Sequence, residues 1–238
     1  MCKNEKIMYE AMIEKSKRTI IFILVQLLWF NQIACGLAGT LHAIMGPSQK
    51  EAELFYASSR GDTDKILDLI ANGVNINATE WEGETPLMYA ASAGQNNAVS
   101  LLIGRGADID KKSNNGETAL GRAVAGGRVE TVKLLIEHGA NVEKQGVQGG
   151  TPLMASTDIR ITKILLEHRA DPNAVNDFGI TPLMAASGLG NIDIVKALVE
   201  SGADIGAKDH NGWDALQWAV DRNHQEIIVY LKQQGVKR

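Results

Sequence analysis

Cysteine is almost missing from this chain. The two it has among 238 residues, Cys2 and Cys35, both precede residue 50. The chain beyond residue 50 therefore carries no disulfide, no thiol nucleophile and no cysteine-ligated metal, and it folds alike in oxidising and reducing compartments. Aromatic residues are scarce as well, at 5% of the chain, so each ring that falls outside a core position draws notice. A surplus of positive charge is lacking too. Residues 1–50 hold six of the 24 basic and three of the 28 acidic residues, which leaves 18 against 25, net −7, in the remainder. That sign argues against a nucleic-acid phosphate backbone as partner. Proline occurs five times, and three of the five, Pro86, Pro152 and Pro182, follow a threonine.

Those threonines belong to a repeat. Thr85-Pro86-Leu87-Met88 recurs as Thr118-Ala119-Leu120, Thr151-Pro152-Leu153-Met154 and Thr181-Pro182-Leu183-Met184, and in altered form as Asp214-Ala215-Leu216, at spacings of 33, 33, 30 and 33 residues. A glycine stands two places earlier each time (Gly83, Gly116, Gly149, Gly179, Gly212). A second series, Gly73, Gly106, Gly139, Gly202 and Gly235, closes the units, with Arg169 where one member is missing. Within a unit the pattern is helix, turn, helix, hairpin. Thr118 is placed to cap a helix over Ala119 to Ala125, because its hydroxyl can accept from an otherwise unpaired amide. Proline at the first helical position costs no hydrogen bond. A second apolar run, such as Val132, Leu134, Leu135 and Ile136, has the spacing of one helical face, and the following glycine ends it.

The spacing together with the strings TPLMYAASAG, VKLLIEHGANVE and TPLMAASGLGNIDIVKALVESGAD resembles the ankyrin-repeat family. The resemblance covers roughly Glu51 to Arg238. It implies an all-α solenoid of stacked helix-turn-helix units with hairpin loops, six in number: 51–79 (a cap without Thr-Pro-Leu), 80–112, 113–145, 146–175, 176–208 and 209–238. Two departures stand out. Met88, Met154 and Met184 occupy the place where the family usually has histidine, so packing replaces hydrogen bonding there. The unit at Thr151 is three residues short between its helices, which predicts a tightened helical turn and a local change in stacking.

The first fifty residues read differently. Lys15, Lys17 and Arg18 precede an apolar stretch, Ile20 to Phe30, and small residues Ala34, Cys35, Gly36, Ala38 and Gly39 follow. Charge, apolar core and small-residue tail in that order describe a secretory signal peptide over about residues 1–40, cleaved after Gly36 or Ala38, with 41–50 as linker. Two other readings stay open: an uncleaved anchor over Ile20 to Leu41, and a lipid-modified Cys35. In each the repeats are exported, to be periplasmic, secreted or membrane-anchored outside the cytoplasm. The length ahead of Ile20 further suggests a translation start at Met8 or Met12.

Chemistry finds little foothold. His138 and His168 occupy one place in consecutive units, about 8–10 Å apart by helix packing, which does not suit a shared zinc. His210 and His224 have no cysteine near them. Glu80, Glu82 and Glu84 bracket a hairpin, and Asp108 and Asp110 sit at a helix exit, without a cleft to separate their proton affinities. The expectation is therefore a non-enzymatic chain without catalytic, metal or cofactor residues. The resemblance implies that a protein partner binds at the hairpin tips and the exposed side of each first helix, which line a concave face. In this register the tips are Trp81, Glu82 and Glu84; Asn114, Asn115 and Glu117; Val147, Gln148 and Gly150; Asp177, Phe178 and Ile180; and His210, Asn211 and Trp213. The rings of Trp81, Phe178 and Trp213 are the expected anchors, with Arg105 and Arg122 as lesser charged contacts and Trp218 as a partly buried position. The repeat domain is expected to be monomeric. The rival function is a membrane-anchored structural or accessory subunit of an envelope complex.

Overall fold

A computed structural model describes residues 48–235. The expected leader, its anchor and lipidation alternatives and the start of the linker lie outside the described residues, and the linker's last residues open the first helix. Among the described residues there are twelve helices in six pairs and no strand. They are α1 Gln49–Arg60 and α2 Thr63–Ala71, α3 Pro86–Ala93 and α4 Asn96–Gly104, and α5 Ala119–Ala125 and α6 Val129–Glu137. Then follow α7 Pro152–Ala155 and α8 Ile159–Glu167, α9 Pro182–Leu189 and α10 Ile192–Glu200, and α11 Ala215–Asp221 and α12 Gln225–Gly235. The odd helices pack on one another as an inner row and the even helices as an outer row, so the repeat builds the solenoid expected of it.

Each inner helix begins where the repeated threonine sits. The hydroxyls of Thr85, Thr118 and Thr181 accept from the amides of Met88, Gly121 and Met184 at 3.2–3.3 Å. Asp214 does the same for Gln217 at 2.9 Å. The first unit, which has no such threonine, uses Ser48 and Glu51 as a reciprocal cap on α1. Inner helices are rich in buried alanine, among them Ala90, Ala91, Ala123, Ala186 and Ala219, which allows close stacking. The outer row supplies the bulk: Ile66, Leu69, Val99, Leu102, Val132, Leu135, Ile161, Leu165, Val195, Leu198, Ile227 and Leu231. Met88 and Met184 are buried in the same seam, and the Met184 sulfur lies 3.5 Å from the Thr181 amide as a weak acceptor. Packing thus stands where the family has histidine, with a residue of polar contact at α9.

Two ladders of hydrogen bonds run between units. In the first, side chains at Asn77, Asp110, Glu143 and Asn173 accept from the backbone amides of Asp108, Asn141, Asp171 and Asp204 at 2.7–3.0 Å. Glu143, with one more methylene than its counterparts, bridges the 28-residue step that the short unit creates. In the second, the side chains of Gln95, Arg128 and His224 bond the last-turn carbonyls of the preceding inner helix at Ser59, Ser92 and Gly188. Asp158 and Asn191, at the same position around the short unit, make no such bond to the preceding unit.

The short unit departs from the expected tightened turn. Helix α7 has a single turn; Ser156 is extended, and its hydroxyl bonds Thr162 and the Asp158 carbonyl, turning the chain directly into α8. Thr151 gives α7 no side-chain cap, and its hydroxyl is buried without a partner. The closing turn of the same unit puts Arg169 at φ 66°, in the left-handed region that Gly73, Gly106, Gly139 and Gly202 fill in four other units.

Candidate protein interface

Five hairpin tips stand in a row beside the inner helices, and the sequence shows how each is held. A side chain at the base folds back to accept two amides of the turn. Glu80 takes those of Glu82 and Glu84, Asn176 those of Phe178 and Ile180, and Asp209 those of Asn211 and Trp213, all at 2.8–3.2 Å. Ser113 accepts from Glu117 in the same way. Gly83 at φ 75° closes its turn, and a Cβ there would lie 2.7 Å from the Asn114 backbone nitrogen. Neighbouring tips are joined by backbone bonds from the Asn114, Asp177 and His210 amides to the carbonyls of Glu82, Gln148 and Phe178. The acidic and amide residues at tips and helix exits, Asp108 and Asp110 included, thus do framework work beyond solubility.

At the third tip the base position is Gly146, which has no side chain to fold back. A 3-10 turn over Val147–Gly149, with Gln148 at φ 52°, takes its place. The row of tips and the row of inner helices are therefore both altered in the same unit.

The structure sorts the expected interface residues into three groups. Trp81, Phe178 and Trp213 are exposed by 58, 46 and 37% on rigid tips, and Glu82, Asn115, Asp177, His210 and Asn211 are exposed beside them. Asn114 is exposed but occupied: its amide donates to the Trp81 carbonyl at 2.9 Å and orients that tip. Glu84 and Ile180 are corrected in role. Glu84 is half-buried and ion-paired to Arg122, whose Nε lies 2.8 Å from Glu117, so Arg122 is a clasp between two carboxylates and not a solvated contact. Ile180 packs against the core from the base of its tip.

Trp218, which the sequence placed low, proves to be a fixed element of the face. Its indole N–H donates to Asp209 Oδ2 at 3.1 Å, and Trp213 meets it edge to face at a centroid distance of 5.9 Å. Gly188 leaves room for it, since a Cβ there would lie 3.1 Å from the ring. A signal was available: tryptophan four residues after the cap is unusual bulk beside a row of alanines. Burial alone would raise the pKa of Asp209, yet the bonds from Trp213, Asn211 and Trp218, with His210 nearby, hold it below the ordinary carboxylate value.

Where the second turn of α7 is absent, the groove between tips and inner helices deepens into a notch of about 460 Å³. Ala125, Ala155, Ala185 and Leu189 form its apolar floor, Trp218 one wall and Val147 the tip side. Met154 lines it too, and is half-buried where Met88 and Met184 are buried. His138 and His168 each direct Nδ1 to a carbonyl of their own helix at 2.8 Å, and no cluster of potential metal ligands occurs among the described residues.

The model of a known family, ankyrin repeats in three copies, matches residues 54–146 and 153–237, leaving the boundary and first residues of the short unit between its two matches. The chain belongs to the ankyrin-repeat family. Among curated relatives, mouse ankyrin repeat domain-containing protein 40 is 46% identical over 54 residues, 22% of this chain and 15% of that protein. The Notch-regulated ankyrin repeat-containing protein of Xenopus tropicalis is 48% identical over 42 residues, 18% of this chain and 37% of its own length. The chain thus spans well under half of these ankyrin relatives. Among solved structures, a chain of the Bd0816 predatory endopeptidase from Bdellovibrio bacteriovorus in complex with immunity protein Bd3460 is similar at TM-score 0.70 and 30% identity, over 76% of this chain and 97% of that one. Ankyrin repeats are protein-interaction modules.

Proposed function

We propose that this chain is an exported, non-enzymatic ankyrin protein that captures a partner protein in the groove between its tips and inner helices. The observation that carries the proposal is the placement of Trp81, Phe178 and Trp213. Three of the few rings in the chain stand exposed on tips locked by paired amide bonds, where the framework does not require them. Preordered tips lose little freedom on docking, so a few aromatic anchors set the affinity. The similar solved chain comes from a complex between an endopeptidase and an immunity protein. That likeness favours an enzyme in the receiving compartment as the partner, held by binding and not by chemistry.

A photo-crosslinking residue in place of Phe178, introduced in the native cell, identifies the partner. Against that partner, Trp81→Ala and Trp213→Ala each weaken binding by about 2 kcal/mol while circular dichroism shows the solenoid intact. Unchanged affinity in both variants removes the tips from the site. The apolar stretch Ile20 to Phe30 favours a second reading, a tethered accessory subunit of an envelope complex. N-terminal sequencing of the native protein separates the two: a mature end near residue 37 or 39 supports release, and a retained stretch supports the tether.

A further inference from the structure

The notch at the short unit has a shape and a charge that the rest of the groove lacks, and from them we infer that it receives an apolar side chain of the partner flanked by a carboxylate. The inference rests on the proposed binding face and names what that face recognises.

The notch follows from the sequence in two steps. Helix α7 has four residues where α3 and α9 have eight, a loss of about one turn or roughly 6 Å of helix. No side chain replaces the missing turn, because Ser156 turns the chain straight toward α8. The surface that such a turn would cover is left as an apolar floor, with Ala125 and Ala155 exposed and Leu189 exposed by 57%. The Trp218 wall is held by its bond to Asp209 and its contact with Trp213, so the cavity is formed before any ligand arrives.

Charge selects the flanking group. The repeat region is strongly acidic overall, yet Lys144 and Arg222 both border the notch. Among the described residues no carboxylate lies within ion-pair distance of Lys144. Arg222 has Asp221 at 3.2 Å, an exposed pair of small energetic weight. Glu117, the carboxylate on the opposite border, is already paired with Arg122. The lining thus carries two cations, Lys144 and Arg222, against one carboxylate, Glu117, which shares Arg122 with Glu84, so an apolar anchor beside Asp or Glu fits this lining better than one beside Lys or Arg. A volume of about 460 Å³ suits a small ligand as well. The notch, however, lies open to the groove, and its Trp218 wall meets the exposed ring of Trp213 edge to face, a span that a loop of a partner protein covers.

The test uses the purified full chain as bait for a displayed library of random peptides. The expected selection pairs an aromatic or branched aliphatic residue with a neighbouring Asp or Glu. Affinity of the selected peptides falls roughly 30-fold in Ala155→Trp, which plugs the notch from an exposed position. It falls by about fivefold or more in the double variant Lys144→Glu with Arg222→Glu, and it is unaffected by Lys133→Ala, an exposed position on the outer helix α6. Enrichment of basic peptides, or equal binding by Ala155→Trp with unaltered circular dichroism, overturns the assignment. So does a bait that retains only small apolar compounds. If the native partner still depends on Trp81 and Trp213 while no peptide depends on Ala155, the binding face stands and the notch is withdrawn. If peptides obey the notch rule while the tip variants leave partner affinity unchanged, the reverse holds.

Discussion

Asp209 is 5% exposed, and three donors converge on its carboxylate, the amides of Asn211 and Trp213 and the indole of Trp218. It both folds the last tip and fixes the wall of the notch, so its charge state matters to shape as well as stability. A carboxylate with a depressed folded-state pKa contributes stability above its unfolded value and loses it as pH falls through the depressed one. Asp209→Asn keeps one acceptor but loses the charge, and is expected to cost about 1–2 kcal/mol at neutral pH. The gap to the parent should narrow as pH drops below about 4. Urea unfolding at neutral and acid pH checks both parts, and a gap that stays constant would show that charge is not what the site uses. Arg169 makes the opposite case. It holds φ 66° at an exposed helix end where its counterparts are glycine, so Arg169→Gly should raise stability by about 1 kcal/mol; an unchanged urea midpoint would mean that the strain is relieved elsewhere.

Helix α7 shows how far an element can be read from its residues. The repeat spacing located all six helix pairs, and the threonine, proline and glycine positions marked their starts and ends, because each of those residues acts through its own backbone neighbours. The three missing residues were equally legible as a count. Their consequence was not, since whether a short connection tightens a helix or removes its last turn depends on what Ser156 can reach, and its partner Thr162 lies on the next helix. The same limit applies to Arg122, whose fate depended on Glu84 from the preceding unit, and to Trp218, whose bond to Asp209 needed the tip and the helix in one frame. Exposed tip rings were legible because tip positions carry no packing duty. Inserting Ser-Ala-Gly after Thr157, in the register of Ser92-Ala93-Gly94, should extend α7 by a turn. The expected outcome is a gain of about 1 kcal/mol for each inter-unit hydrogen bond regained and loss of notch-dependent peptide binding. Peptide binding that survives a demonstrably longer helix would place the peptides elsewhere.

In a solenoid each unit leans on its neighbours, so the molecule is as cooperative as its weakest interface. Here that interface can be named. The second ladder joins units at Gln95, Arg128 and His224 and is interrupted at Asp158 and Asn191, on both sides of the short unit. The uncapped α7 and the solvent-open notch lie between them, whereas the first ladder continues through Glu143 and Asn173 along the other edge. The solenoid is therefore held on one edge and loosened on the other at a single place, and the two flanking blocks should part there before either unfolds. Tryptophans lie on both sides: Trp81 in the block before the short unit, and Trp213 and Trp218 in the block after it. With Trp29 replaced by phenylalanine, variants retaining Trp81 alone or Trp218 alone should give different urea midpoints. Amides of α7 should exchange with solvent faster than those of α3 and α9, since local opening there exposes little apolar surface. The insertion that lengthens α7 is expected to bring the two midpoints together. Coincident transitions in the parent chain, with α7 protected as well as its neighbours, would mean that the first ladder alone carries cooperativity across the short unit.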